Sequence, residues 1–310
     1  MNLFAKNAIL SKLESTYGTD ATPTGAADAL LCVVRSFRPM VAGLVQREAE
    51  LGAALGRREQ LVADYHSELG LDIEMVGSGT LGTAPAWGKE LKTAGFSETV
   101  NAGVSVVYAP VSSGFSSASK YVWRDGTQHK MLGVYGSKLS HKMMPRGVPY
   151  FALEYMGLYG GVADAAFPAL TQTAWKAPIA VNNANTSAFA VQSFSGKLYD
   201  IAIDYVPKVV YRNLVGGEDL VVVNRECSGS VVIEEPTVAT KDFWTALKNA
   251  TLGTLSITHG IVAGYKVKVD LANVQVKDVT PENRDGVAAL KIDLHIPTSA
   301  GNDEVTITSL

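Results

Sequence analysis

The chain has 310 residues, of which 47% are hydrophobic and 18% charged, so it can bury packed cores and is not a disordered polymer. Its net charge of −3 argues against a basic surface that binds nucleic acid tightly. Its 2 cysteines lack metal-ligand spacing, which indicates free thiols in a reducing compartment, and no apolar run reaches the length of a membrane span, about 18 residues.

Residues 1–28 are predicted to form an arm. The start, Met1–Lys12, lacks a basic region followed by an unbroken apolar core, so no signal peptide is expected. Met1–Ser15 could form one weak amphipathic helix, whereas Tyr17–Gly25 consists of turn residues. Because such a segment buries little surface alone, we expect an arm that gains order on a neighbouring subunit, with a frayed terminus as the alternative.

The chain reads as strands from Ala29 onward. Leu31–Val34 and Val41–Glu48 predict a hairpin around Arg38–Pro39. Glu50–Asp64 contains two glycines, each of which costs a helix about 1 kcal/mol, and is predicted to be an extended loop. Apolar and polar residues then alternate over Leu69–Met75, which is typical of a half-buried strand.

Two short amphipathic helices interrupt the strands. Trp87–Ala94 and Phe243–Ala250 each carry apolar residues four apart, which predicts a helix packed against a sheet. Asp125-Gly126 separates two strand-forming runs and predicts a tight hairpin. Ser112–Ser119 is a serine-rich loop without an assigned role, and Ala163–Asn185 is typical of a linker.

An internal repeat organises these elements. Leu44–Glu48 and Val222–Glu226 are similar, and each leads to a strand and then to one of the two helices. Each repeat ends in a strand that begins with Gly-Val, Gly147–Met156 and Gly286–Ile296. The sequence therefore predicts a mainly β (β-rich α+β) protein. In this prediction an arm precedes two tandem β-rich domains, residues 29–165 and 166–310, each with one short flanking helix.

No motif indicates catalysis. Gly77–Gly82 matches the dinucleotide-binding glycine pattern, but the predicted helix begins beyond Pro85, so we expect a flexible loop. The five histidines have no zinc spacing, and no Gly-x-Ser-x-Gly elbow is present. We predict no catalytic residue, cofactor or metal; a Ser-His-Asp site assembled across space is the enzymatic alternative. A local basic group is interpreted as a solvated hairpin tip or a protein interface; its members are Lys138, His141, Lys142 and Arg146.

Four segments together resemble the major tail tube proteins of long, non-contractile-tailed bacteriophages (siphophages): Tyr17–Gly25, Ala84–Phe96, Tyr108–Pro110 and Tyr121–Gly126. The resemblance covers most of the chain. It implies that each of the two domains is a β-sandwich or half-barrel. It also implies a virion protein, made in the host bacterial cytoplasm, whose rings stack into a tube through which DNA is ejected. Two tube domains in one chain imply a ring of three subunits in place of six.

The resemblance also implies partners. These are further copies of the chain, the tape measure protein, the tail terminator and distal tail proteins, with double-stranded DNA passing without specific binding. Another virion or cell-surface β-sandwich, such as an adhesin or a carbohydrate-binding module, is the alternative function.

Residue types suggest where such a tube would meet DNA and where it would meet its next ring. DNA carries a negative charge about every 1.7 Å, so a neutral or acidic lumen lets it slide. The candidate lumen-facing residues are Asp72, Glu74, Asp200 and Asp204. The candidate contacts to an adjacent ring are Tyr17, Asp20, Pro23, Leu51, Leu55 and Arg58.

Overall fold

The fold consists almost entirely of β-strands. The computed structural model describes residues 3, 5–47 and 58–310. In this part of the chain, 15 strands join one antiparallel sheet, accompanied by two helices of 6 residues each. The mainly β fold that the sequence predicts is therefore confirmed.

The elements fall into two halves along the chain. Those of the first half are β1 (Asn7–Leu13), β2 (Val33–Gln46), β3 (Gln60–Glu74), α1 (Gly88–Thr93), β4 (Phe96–Asn101), β5 (Ser105–Pro110), β6 (Ala118–Arg124), β7 (Thr127–Met143) and β8 (Tyr150–Asp164). Those of the second half are β9 (Thr186–Val191), β10 (Leu198–Leu214), β11 (Gly217–Glu234), α2 (Phe243–Lys248), β12 (Leu252–His259), β13 (Val267–Arg284), β14 (Val287–His295) and β15 (Thr306–Ser309).

The second half repeats the strand order of the first. The sheet runs β2–β3–β8–β7 and continues directly as β10–β11–β14–β13. In each half the last of these four strands carries a two-stranded extension, β6–β1 on β7 and β12–β9 on β13. The hairpin β4–β5 has no counterpart among the described strands of the second half, and β15 joins it to β13. By its pairing, β1 belongs to the first strand set, although it lies within the predicted arm.

Alternate residues of the central strands form the core. Leu69, Leu71 and Ile73 of β3 are buried, and the residues between them reach the opposite face of the sheet. Ile201 and Ile203 of β10 repeat this pattern. Successive side chains of a strand point to opposite faces, so one face of the sheet is apolar and covered while the other is polar.

Both predicted helices are confirmed, each slightly shorter than its pattern. Trp87, at the start of α1, is buried, and its Nε1–H donates to the Val76 carbonyl at 2.7 Å. In α2, Phe243 is buried, and the Asp242 side chain caps the helix by accepting from the Thr245 N–H at 2.8 Å. The glycine-rich run 77–82 is a loop that ends before α1.

The helix considered for Met1–Ser15 is wrong, because β1 occupies this segment. β1 pairs with β6 from Asn7 opposite Arg124 to Leu13 opposite Ala118. Four successive residues, 8–11, are buried in this strand, a pattern that covers both of its faces and leaves no helical stripe. The predicted arm therefore has buried contacts within its own chain.

The hairpin predicted around Arg38–Pro39 is also wrong. β2 continues through both residues and pairs with β3 as far as Gln46 opposite Gln60. The pairing is irregular between Arg38 and Val41, where Pro39 lacks the N–H that a regular ladder needs. The end of the predicted loop, residues 60–64, belongs to β3, while residues 50–57 lie outside the described part.

Of the two sequence similarities that defined the repeat, one corresponds to equivalent strands in the structure and the other does not. The Gly-Val strands correspond, since β8 and β14 occupy the same place in the strand order of each half. The similarity of Leu44–Glu48 to Val222–Glu226 is misleading, because 44–46 end β2 whereas 222–226 lie inside β11. The counterpart of β11 is β3, so these similar sequences occupy different positions in the fold.

Candidate functional site

The most extensive polar feature of the chain is one face of its sheet. We call the face of β2–β3–β8–β7–β10–β11–β14–β13 opposite to the core the polar sheet face. The structure places Asp72 and Glu74 on it, on either side of the buried Ile73. Asp200 and Asp204 lie on the same face, because Ile201, Ile203 and Tyr205 point into the core. The four predicted acidic residues thus share one surface.

Acidic side chains outnumber basic ones on the polar sheet face. The acidic members are Glu68, Asp72, Glu74, Glu154, Asp200, Asp204, Glu226, Glu234, Asp278, Glu282 and Asp293. The basic members on these strands are fewer: Arg35, Arg38, Lys138, Lys142, Lys208, Arg284 and Lys291. Sequence reasoning missed most of the acids, although their alternation with apolar residues in each strand was a usable signal. The excess of acid gives the face a negative potential.

Ion pairs hold several of these groups in place. The Arg35 Nε lies 2.7 Å from the Asp72 carboxylate, and its Nη1 lies 3.8 Å from Glu154. Asp204 lies 3.6 Å from the Lys138 ammonium and accepts a hydrogen bond from the Ser140 hydroxyl. Partly exposed pairs of this kind contribute about 0–1 kcal/mol each, so their main effect is to orient side chains.

The predicted basic group does not form one surface. Lys138 and Lys142 lie on the polar sheet face, but His141 between them is buried in the core. Burial, assisted by the nearby His259, lowers the pKa of His141 to about 4. Arg146 lies in the turn before β8, with φ 67° and its N–H bonded to the Val181 carbonyl at 2.8 Å. The interpretation as a solvated hairpin tip is wrong for His141.

The arm residues predicted to contact an adjacent ring have partners within their own chain. The Tyr17 hydroxyl accepts from the Leu220 N–H at 2.7 Å. Asp20 accepts from the Tyr121 hydroxyl at 2.6 Å and from Lys130 at 2.9 Å. Burial alone would raise the pKa of Asp20, but these two donors outweigh it and lower the pKa. Pro23 is buried. The expectation that the arm orders only on a partner is therefore wrong.

The loop residues predicted for the same role are only partly described. Leu51 and Leu55 lie outside the described residues. Arg58 lies two residues before the start of β3, and its carbonyl accepts from the Gln46 side-chain amide at 3.0 Å. The adjoining ends of β2 and β3 expose apolar side chains, namely Leu44, Val45, Leu61 and Val62. The corresponding β10–β11 hairpin exposes Leu214 and Val215 at its tip, which sequence reasoning missed.

A polar sheet face and two long hairpins with exposed apolar side chains near their ends are the main surface features of the described residues. The sequence profile of the phage tail tube proteins matches residues 5–308. The chain belongs to this family and is a structural component of the virion tail. No curated protein matches the chain.

Two further observations concern groups that the described residues do not contain. In residues 3, 5–47 and 58–310, no helix is long and apolar enough to cross a membrane. The same part of the chain holds no cluster of three or more His, Cys, Asp and Glu residues able to bind a metal ion. The family itself is structural and not enzymatic.

Proposed function

We propose that copies of this chain form rings that stack into the tail tube of a siphophage, with the polar sheet face lining the channel. The acidic excess of that face supports this orientation, because a negative lining repels the DNA phosphates and leaves the duplex free to move. DNA is then ejected through the tube into the bacterial host. The candidate lumen residues Asp72, Glu74, Asp200 and Asp204 lie on this face.

The axial contacts of the tube are assigned to the hairpin tips. Leu44, Val45, Leu61 and Val62 on one hairpin, and Leu214 and Val215 on the other, present apolar surface at the ends of long strands. Apolar side chains exposed together mark interaction sites. Of the residues predicted for the ring-to-ring contact, we assign Tyr17 and Asp20 of the arm and Leu51, Leu55 and Arg58 of the loop to it, whereas Pro23 is buried within its own chain. The tape measure, terminator and distal tail proteins complete the tail.

The domain division proposed is an arm of 28 residues followed by tube domains at 29–165 and 166–310. The repeated strand order supports two equivalent units. The pairing of β1 with β6 means that part of the arm completes the first unit.

The channel assignment is tested by reversing charges on the polar sheet face. Glu74→Lys combined with Asp200→Lys adds positive charge there without removing either carboxylate of the Arg35–Asp72 or Lys138–Asp204 pairs. We expect the purified wild-type protein to form hollow tubes in negative-stain micrographs and to retain little double-stranded DNA at low salt. Tubes of the double variant should retain DNA, and added salt should release it.

The matched control is Glu235→Lys, which makes the same charge change as Glu74→Lys alone, at an exposed residue just beyond β11, and it is compared with that single variant as well as with the double variant. Control tubes should behave as the wild type does. Equal DNA retention by the control and the double variant would contradict the channel assignment. Failure of the concentrated wild-type protein to form rings or tubes would contradict self-assembly by this chain alone.

A further inference from the structure

In the described part of the chain, β2 and the carboxyl-terminal half of β13 each have one unpaired edge, although the corresponding edges of β10 and β7 are paired. β2 pairs with β3 on one side only. Beyond Val276, β13 pairs with β14 on one side only. Between the two halves, the corresponding edges meet, because Ile201–Tyr205 of β10 pair with Leu139–Met143 of β7. We call this β7–β10 contact the internal junction.

The repeat is regular enough to identify equivalent residues. Lys138 lies opposite Glu154 in β8, and Asp278 lies opposite Asp293 in β14. The pairing of β7 with β8 is irregular just before Lys138, between Gly136 and Lys138. The pairing of β13 with β14 is irregular just before Asp278, between Val276 and Asp278. This shared irregularity makes Lys138 equivalent to Asp278 and, two residues on, Ser140 equivalent to Thr280.

The same comparison aligns β2 with β10. β3 and β11 both end in a glutamate, Glu74 and Glu234, that lies opposite the first residues of β8 and β14. Counting back from these ends makes Glu68 equivalent to Ser228. Arg38 lies opposite Glu68, and Asp204 lies opposite Ser228. Arg38 is therefore the counterpart of Asp204.

Charges at the two sets of positions are reversed. At the internal junction Asp204 on β10 lies 3.6 Å from Lys138 on β7. The equivalent residues on the unpaired edges are Arg38 on β2 and Asp278 on β13. An acid–base pair at one junction thus corresponds to a base–acid pair at the other. The unpaired edges of β2 and β13 therefore carry opposite charges and are complementary to each other. Neither is complementary in charge to the edge that it would face in place of its counterpart at the internal junction, which is β7 for β2 and β10 for β13.

We propose that β2 of one copy pairs antiparallel with the carboxyl-terminal half of β13 of the next copy, with Arg38 opposite Thr280 and diagonal to Asp278. Phe37 then lies opposite Pro281, and Ser36 opposite Glu282, as Ile203 and Ala202 lie opposite His141 and Lys142 at the internal junction. Diagonal neighbours on one face are within reach of long side chains, so Arg38 and Asp278 form an ion pair. This inference rests on the proposed self-assembly and specifies its register.

The reversed charges determine which edges can meet. If the unpaired edge of β13 met the β10 edge of another copy, Asp278 would lie against Asp204. If the unpaired edge of β2 met the β7 edge of another copy, Arg38 would lie against Lys138. Like charges at an interface cost several kcal/mol, so only β2 against β13 remains favourable. This contact uses two different surfaces, and such head-to-tail contacts generate rings when the rotation closes. Pro39 and Pro281 lie on these edges, where proline limits unspecific strand addition before assembly.

Charge exchange tests the pairing. Arg38→Asp and Asp278→Arg should each raise the concentration needed for ring formation about tenfold or more, because each places like charges across every junction between copies. The double variant restores an opposite pair and should assemble within about threefold of the wild type. Assembly is measured by sedimentation velocity, and thermal unfolding of the dissociated subunits shows whether each variant is folded. Arg38→Asp also faces Glu68 within the chain, a pair now 3.0 Å apart, so its folding is compared first.

Disulfide trapping tests the register independently of charge. Ser36→Cys together with Glu282→Cys should give covalent oligomers on mild oxidation of assembled protein, whereas Ser36→Cys with Asp278→Cys should not. The parent chain, with Cys32 and Cys227, is the background control. Rings that form normally from both single charge variants, or a folded double variant that is not rescued, would overturn the inference. Wild-type protein that does not assemble at all would instead contradict the proposed function.

Discussion

His141 shows how strongly one residue can depend on its surroundings. Its two ring nitrogens are buried and have no hydrogen-bond partner within the described part of the chain. The ring lies 6.0 Å from that of Phe151, and burial next to His259 lowers its pKa to about 4. The neutral imidazole therefore packs as an apolar side chain, and protonating it in the folded state is unfavourable.

Stability should consequently fall as the pH drops from about 6.5 to about 4. The unfolded chain takes up a proton at His141 near pH 6.5, whereas the folded chain resists it until about pH 4, so the unfolded state binds more protons in this window. The expected loss is about 3 kcal/mol, at about 1.4 kcal/mol per pH unit. Urea unfolding across this pH range measures it, and His141→Leu should flatten the curve. His295→Leu, on an exposed residue, is the control; a His141→Leu curve as steep as that of the wild type would contradict the prediction.

For single residues, the sequence predicts which face of the sheet a side chain occupies better than it predicts its hydrogen-bond partners. Alternation with apolar neighbours was enough to place Asp72, Glu74, Asp200 and Asp204 together, because strand geometry is local. The partners of Asp20 and Tyr17 could not be predicted, since Lys130 and Leu220 lie 110 and 203 residues away along the chain. Such contacts follow from strand pairing, which the sequence pattern does not encode locally.

At the scale of elements, β1 shows where local pattern fails. Its residues Ala8 and Leu10 pack against Tyr121 and Trp123 of β6, with Ala29 closing the same small cluster. The Ser11 hydroxyl on its other side accepts from the Lys120 ammonium at 2.9 Å, and Lys120 forms a buried ion pair with Glu90 of α1. The strand exists because β6 and α1 supply partners for both of its faces. The helices, by contrast, were predictable because four-residue spacing is a local property.

Leu10→Ala should therefore destabilise the folded chain by about 2–5 kcal/mol. Leu10 is 1% exposed, and removing its side chain leaves a cavity against the β6 aromatic residues. Denaturant unfolding measures the change. Leu3→Ala, on a side chain that is 54% exposed, is the matched control and should cost no more than about 0.5 kcal/mol. Equal stability of Leu10→Ala and Leu3→Ala would show that β1 contributes nothing to the fold, as the predicted arm would have required.

β2 contains a proline, Pro39, at which the sequence predicted a turn. Pro39 suggested a turn, because proline is rare inside strands. Here the strand tolerates it at a sheet edge where its pairing with β3 is already irregular, between Arg38 and Val41. Edge position is a property of the whole sheet, so the sequence alone favoured the wrong assignment. The Gly-Val strands were identified correctly because both follow a turn and are rich in strand-forming apolar residues, Gly147–Met156 as well as Gly286–Ile296.

In the whole molecule, the internal junction shows how one four-strand unit can pair with the next. Four strands of the first half and four of the second already form a continuous sheet through the internal junction. Joining the two units in one chain raises their effective concentration to about millimolar, so that this junction forms during folding. In the proposed assembly, the junction between β2 and β13 forms only between copies. The sheet of such a ring would alternate covalently linked junctions with assembled ones, which are distinguished by the reversed charges of Asp204–Lys138 and Arg38–Asp278.

We predict that each ring contains three copies of the chain. Three copies supply six sheet units and close the lumen that six single-domain subunits would enclose, with three internal and three intermolecular junctions. Native mass spectrometry of rings released from tubes should give a mass of three chains. End-on averages should look nearly sixfold at the channel and threefold outside, because the hairpin β4–β5 occurs in one unit only among the described strands. A ring mass of six chains would contradict the prediction and would indicate that the second half decorates the outside of the tube and does not line the channel.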